Sequence, residues 1–214
     1  MAAKGTETKD RILDTAQGLV LERGFAATSL DDIISATGLT KGAFFHHFRS
    51  KADLARKLVE RFAANDFQLF DDWERRAAAL ADDPYQAVVI FIKLFEEWLA
   101  SLPTPFAGCL FAVYVYENDA FDADINAFVR TSLERWQDYY ERMFAAVLAA
   151  RRPKTDVTAR ELAETYISTM EGAFILARAY KEPELIVRQS RLFRDYLKLL
   201  FEEAPAAPKR KRAS

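Results

Sequence analysis

A chain of 214 residues, half of it apolar and 29% charged, has room for one sizeable globular unit, or a small one joined to a larger one. Seven glycines and seven prolines are few for that length, which favours helix over sheet. A formal charge of −2 does not by itself announce a nucleic-acid partner, one cysteine excludes an intramolecular disulfide, and no run of about 18 apolar residues exists to span a membrane.

The polar start, Met1 to Asp10, has no apolar core and does not read as a secretory signal. A cytoplasmic protein is therefore expected. Ile12, Leu13, Ala16, Leu19 and Val20 recur at helical steps and form one stripe. Thr6 is the candidate N-cap of this first helix, with Glu7 in its first turn, and Gly24 stops it. Phe25 follows as an apolar anchor. Ser29-Leu30-Asp31-Asp32 is an acidic capping box opening a short second helix that ends at Gly38. Thr40 caps a third, from Lys41 to about Phe48. Only a three- or four-residue turn containing Gly separates the two, the spacing of a DNA-binding helix-turn-helix and also of many plain helical hairpins.

Between Lys41 and Lys57 five basic residues stand against one acid, Asp53. That patch is the footprint of a DNA reader or an ordinary solvated surface. Ser50 caps a fourth helix whose apolar face runs through Leu54, Leu58, Phe62, Leu69 and Trp73 until Asp82-Asp83-Pro84 breaks the pattern. Further helices read from Tyr85 to Ala100, Phe106 to about Glu117, Phe121 to about Arg151, Asp156 to Tyr180 and Pro183 to Phe201. No strand pattern appears. The fold class is all-α, with roughly nine helices: a three-helix unit over 1–50, a larger unit over 51–203, and a disordered tail over 204–214 that ends in Lys209-Arg210-Lys211-Arg212.

The stretch from Gly38 to Leu54, GLTKGAFFHHFRSKADL, together with Gly24-Phe25 and Thr28 to Ile33 upstream, resembles the tetracycline-repressor family over roughly residues 10 to 60. The resemblance implies a dimeric regulator that binds a palindromic double-stranded DNA operator through the third helix, lets go when a small molecule enters the C-terminal unit, and usually represses. The residue chemistry agrees. Thr40 and Lys41 begin the third helix, where backbone N–H groups and the helix dipole favour phosphate. Gly42 and Ala43 allow close approach to the groove, and Ala43 suits a thymine methyl. His46 donates to phosphate or base. Lys51 neutralises a phosphate at the next helix start, and Ser29 does so near the second helix. The family usually carries Tyr where this chain has Phe45, so a phenolic contact is missing and a ring packed on the sugar remains. Phe44 and Phe48 read as core. His47 is either a partly buried residue fixing the turn or a DNA contact.

In the C-terminal unit, aromatic residues crowd between Phe67 and Tyr116. The candidate effector pocket takes Phe70, Phe91, Phe95, Trp98, Cys109, Tyr114, Met170 and Phe174, with Trp98 and Tyr114 as polar handles, so a largely apolar effector is expected. Lys93 is the candidate partner for a ligand carboxylate. Cys109, in a Gly-Cys-Leu segment, is either a small buried hydrophobe or a thiol sensing electrophiles or oxidants; its neighbours Phe106, Ala107, Leu110 and Phe111 argue for the former. The last two helices are apolar on two sides, and the family resemblance makes them a four-helix bundle between two copies, through Tyr166, Ala173, Leu192, Phe193, Tyr196 and Leu200.

An enzyme would need a nucleophile with its base, a carboxylate pair or a metal cluster. The only histidines, His46 and His47, lie in the third helix, and no phosphate loop or metal-ligand spacing exists. No cofactor, metal or membrane partner is expected. A helical adaptor using the third helix as a plain protein-binding surface is the reading from another class.

Overall fold

The computed structural model describes residues 2–201, with side chains from Gly5 onward, and the basic tail expected over 204–214 lies outside them. The described residues form helices α1 (Ala2–Arg23), α2 (Leu30–Thr37), α3 (Lys41–His47), α4 (Lys51–Leu80), α5 (Pro84–Ser101), α6 (Leu110–Tyr116), α7 (Ala123–Ala150), α8 (Ala159–Tyr180) and α9 (Glu184–Phe201), plus a single 3-10 turn over Asn118–Ala120. No strand occurs among them. The all-α expectation holds, and so do most of the helix boundaries.

Local chemistry accounts for those boundaries. Ser29 and Asp32 form the reciprocal capping box at α2, whose end is Gly38 in the left-handed region at φ 66°. Thr40, Ser50, Asp83, Asp122 and Thr158 each accept a backbone N–H at the start of the helix they precede. Two expectations need correction. Thr6 lies inside α1 and does not cap it, because the backbone is already helical from Ala2. The sixth helix starts at Leu110 and not at Phe106: Gly108 sits at φ 113°, and Pro103 and Pro105 precede it, so residues 106–109 stay outside the helix.

Helices α1 to α3 pack around Ile12, Ala16, Val20, Ile33, Phe44 and Phe48, and this small core continues into Leu54 and Leu58 of α4. Helix α4 thus belongs to both units. Its second half packs on α5 and α7, and α8 and α9 close the other side. A buried ion pair fixes α9 to α5: both guanidinium ends of Arg194 meet Glu96 at 2.9 Å, and Ser190 donates to the same carboxylate at 3.1 Å.

Candidate functional site

The helix pair α2–α3 presents one face outward. Phe44 and Phe48 point into the core and anchor α3, as the sequence indicates, so the opposite side of the helix is free. Lys41, Gly42, Phe45 and His46 are exposed there, with Ala43 at the edge. Gly42 has no packing reason to be glycine: a Cβ at this position meets only the Thr40 hydroxyl, at 3.9 Å. Phe45 is 49% exposed and sits edge-on to Phe44, so a large apolar ring is displayed on a polar face. The Thr40 hydroxyl accepts from Ala43 N–H at 3.2 Å, and the Ser29 hydroxyl is committed to Asp32. Both hold helix starts toward solvent. Lys41 pairs with Asp31 across the turn at 2.9 Å, an exposed contact that is easily exchanged for another anion.

Two expected contacts are placed differently from a plain outward reach. His47 is half-buried, and burial, the neighbouring His46 and Lys9 all lower its pKa, so it is neutral near pH 7. Lys51 turns one of its three N–H donors inward to the carbonyl of Phe25 at 2.7 Å, with the ammonium 4.2 Å from the Phe25 ring centre. It clamps the start of α4 to the turn after α1.

The second site is a cavity of about 60 Å³ inside the C-terminal unit. Of the expected lining residues, Phe70, Phe91, Phe95, Trp98, Cys109, Met170 and Phe174 are all there. Tyr114 is not. Its hydroxyl donates to the carbonyl of Ala55 at 2.8 Å, and its ring stacks on Phe121 at 4.1 Å, so it is a core residue joining α6 to α4. Lys93 does not enter either; it lies on the surface of α5, 3.8 Å from Glu97.

Sequence reasoning missed two acids in the wall, Asp66 and Glu171. Their signal is legible in retrospect. Asp66 falls on the stripe Phe62, Asp66, Phe70, Trp73 of α4, and Glu171 on the stripe Ile167, Glu171, Phe174 of α8, each an acid at a position where the helix faces apolar neighbours. Burial, together with the charge of Glu171, pushes the carboxyl of Asp66 up to about 7, and burial also raises Glu171. Cys109 is buried and within hydrogen-bonding reach of Glu171. Burial and the two acids push its thiol well up, the opposite of what an oxidant-sensing cysteine needs.

The two sites are mechanically connected through α6. Cys109, at the start of α6, is cavity wall. At the other end, the carboxylate of Glu117 accepts the backbone N–H of Ala26 at 2.7 Å and lies against Gly24, whose φ of 88° and missing side chain make room for it. The guanidinium of Arg178, near the end of α8, donates to the carbonyls of Leu21 and Glu22 and so caps the end of α1.

The expected dimer contacts are the ones most revised. Tyr166, Ala173, Phe193 and Leu200 are buried within the chain, with Tyr166 part of the cavity wall, so they are not exposed for a partner. Leu192 and Tyr196 are exposed, as expected. They continue into Leu199, 73% exposed, and beside them α8 displays Ile175, Leu176 and Tyr180. The sequence showed two apolar sides on each helix; only the packing shows which side is already covered.

The profile of bacterial regulatory proteins of the tetR family matches residues 12–58, and that of the tetracyclin repressor-like C-terminal domain matches residues 91–193. The chain belongs to the tetracycline-repressor family. It is a transcriptional regulator with a helix-turn-helix DNA-binding unit. Similar proteins include the transcriptional regulator AcuR of Cereibacter sphaeroides, 28% identical over 80% of this chain and 77% of that protein, and the transcriptional repressor ComR of Escherichia coli, 29% identical over 79% of each. A TetR transcriptional regulator from Chloroflexus aurantiacus superposes with a TM-score of 0.74 at 26% identity, covering 93% of this chain and 98% of the other. No described helix is long and apolar enough to cross a membrane.

Proposed function

We propose that this regulator is a dimeric, cytoplasmic repressor without catalytic activity, whose exposed α3 face reads a palindromic operator and whose aromatic cavity takes the effector that releases it. The division of labour falls near residue 50, with α4 shared. The observation that carries the reading is the α3 face itself: a helix anchored by Phe44 and Phe48 that turns Lys41, Gly42, Ala43, Phe45 and His46 to solvent. Small residues let a helix sit deep in the major groove, and helix-start N–H groups beside Ser29 and Thr40 suit phosphates. Half-buried Lys51 keeps two N–H donors for a phosphate, and neutral His47 serves as a positioning residue.

The dimer is proposed through the stripe Leu192, Tyr196, Leu199 of α9 with Ile175, Leu176 and Tyr180 of α8. A self-complementary apolar patch on two antiparallel helices suits a two-fold four-helix bundle. For release, the cavity is small and walled by packed rings, so a ligand has to push its walls apart. Movement of Cys109 at one end of α6 is carried by that short helix to Glu117, which holds the DNA unit at Ala26. The ligand then favours a spacing of the two recognition helices that does not fit the operator, provided it binds that state more tightly.

Selection of bound DNA from a random pool tests this reading. A palindrome is expected, and Lys41→Ala should weaken binding to it while the dimer stays intact. Recovery of no motif would instead favour a helical adaptor that binds protein.

A further inference from the structure

We infer that the cavity between α4, α5, α7 and α8 takes a small organic cation with an apolar body, its charge held between Asp66 and Glu171 inside a box of aromatic rings. The inference rests on the cavity being the effector site, and adds the chemical class of the effector.

Three features of the wall lead there. First, the side chains are overwhelmingly aromatic, with Phe70, Trp73, Phe91, Phe95 and Trp98 among them, and ring faces attract cations. Second, the only formally charged groups in the wall are the two carboxylates, and no lysine or arginine lines it. Among the described residues neither acid has an ion pair, whereas Glu96 pairs with Arg194 and Glu74 with Arg142. An unpaired carboxylate in an apolar wall is costly, and either a proton or an incoming counter-charge relieves it. Third, Trp136, only 8% exposed, is part of the same wall, and its indole N–H has no acceptor. That N–H takes a hydrogen-bond acceptor on a ligand; it marks an open polar position in the wall and does not itself select the charge.

Other occupants fit less well. No three metal-ligating side chains among the described residues lie close enough together to hold a metal ion, so Asp66, Glu171 and Cys109 do not make a metal site. An anionic ligand meets two acids and no base. A neutral apolar ligand leaves both carboxyls as they are and uses none of their charge. The groups facing Asp66 are Glu171 from α8, Cys109 from the start of α6 and Tyr140 from α7, all neutral or acidic; burial and Glu171 raise the carboxyl, and an incoming cation lowers it.

All three tryptophans of the chain, Trp73, Trp98 and Trp136, line this cavity, so intrinsic fluorescence reports its occupancy directly. Four probes are titrated into the purified protein at pH 8: phenethylammonium, benzyltrimethylammonium with its fixed charge, neutral propylbenzene, and phenylacetate. The two cations should quench the tryptophans saturably and bind at least tenfold more tightly than propylbenzene, with phenylacetate weakest. Asp66→Asn and Glu171→Gln, checked for unchanged helicity, should each cost the cations tenfold or more and leave propylbenzene unaffected. Benzyltrimethylammonium, which does not titrate, should bind more weakly at pH 5 than at pH 8. If propylbenzene matches the cations, or neither substitution weakens them, the cation assignment is wrong while the cavity stands as an effector site. If no probe reaches the tryptophans, the effector-site reading fails with it.

Discussion

Replacing Asp66 by Asn removes a charge that the fold keeps in an apolar wall, and the consequence is a stability curve that changes shape with pH. In the folded chain the carboxyl holds its proton up to about 7, against an ordinary value of 3.8 in the unfolded chain. Between these values the native state carries one proton more than the unfolded state, so stability falls as pH rises through that window. About three pKa units at 1.36 kcal/mol each gives about 4 kcal/mol; solvent reaching the partly open cavity screens part of it, leaving about 2 kcal/mol. Asparagine has nearly the same shape and stays neutral throughout. The variant should therefore already melt slightly above the parent at pH 5, where about a third of the penalty is present, and about 4–8 °C higher at pH 8, taking about 2–4 °C per kcal/mol for a domain of this size. Thermal melts at fixed protein concentration across pH 5 to 8 measure the difference, in which the titration of groups remote from the cavity cancels. Parallel curves for the two proteins, or a variant less stable at pH 8, would show that Asp66 is not held in a desolvated wall.

Three further outcomes are expected. Leu199→Glu combined with Leu192→Glu places charge on the exposed apolar stripe of α9 and should give a monomer of unchanged helicity by sedimentation, with operator affinity lost; a dimer that persists would move the interface elsewhere. Arg194→Ala strands Glu96 without its guanidinium partner and should lower stability by about 3–5 kcal/mol in denaturant melts, whereas an exposed pair such as Arg75 with Asp72 should cost under about 1 kcal/mol. Glu117→Ala removes the acceptor of Ala26 N–H and should cost only about 1 kcal/mol of stability. Its larger effect should be on regulation: the variant should bind operator in gel shifts and respond less to a ligand that occupies the cavity.

Much of this was legible in the sequence because local chemistry specifies it. Ser29 with Asp32, Thr40, Ser50 and Gly38 set helix ends through hydrogen bonds within four residues, and such contacts need no knowledge of the fold. The aromatic lining was legible too, since Phe70, Phe91 and Trp98 recur on helical faces. What depended on long-range packing was not. Tyr114 was indistinguishable from a pocket aromatic until its hydroxyl met Ala55, 59 residues away. Phe193 and Leu192 are adjacent apolar residues, and only the placement of α8 decides that the first is buried in the chain and the second free. Asp66 and Glu171 were visible as acids on apolar stripes, but an acid on such a stripe also occurs at the solvated edge of a helix. Their meaning appears when α4 and α8 are brought across the same cavity.

The shared use of α4 and α6 gives the proposed release a route through the fold itself. Helix α4 carries Lys51 against Phe25 at one end and Asp66 in the cavity wall four turns later; α6 carries Cys109 in that wall and Glu117 on the DNA unit. Tyr114 ties the two helices together near their ends at the DNA unit, through a hydrogen bond to the backbone of α4 at Ala55. A change in wall spacing therefore reaches the DNA unit along two rigid helices at once, and both meet the same short segment, Gly24 to Ala26. That segment contains the glycine whose positive φ and absent side chain admit the Glu117 carboxylate. On the proposed release mechanism, coupling would be concentrated at this close approach, where a displacement of either helix bears on the segment that leads into the helix pair facing DNA.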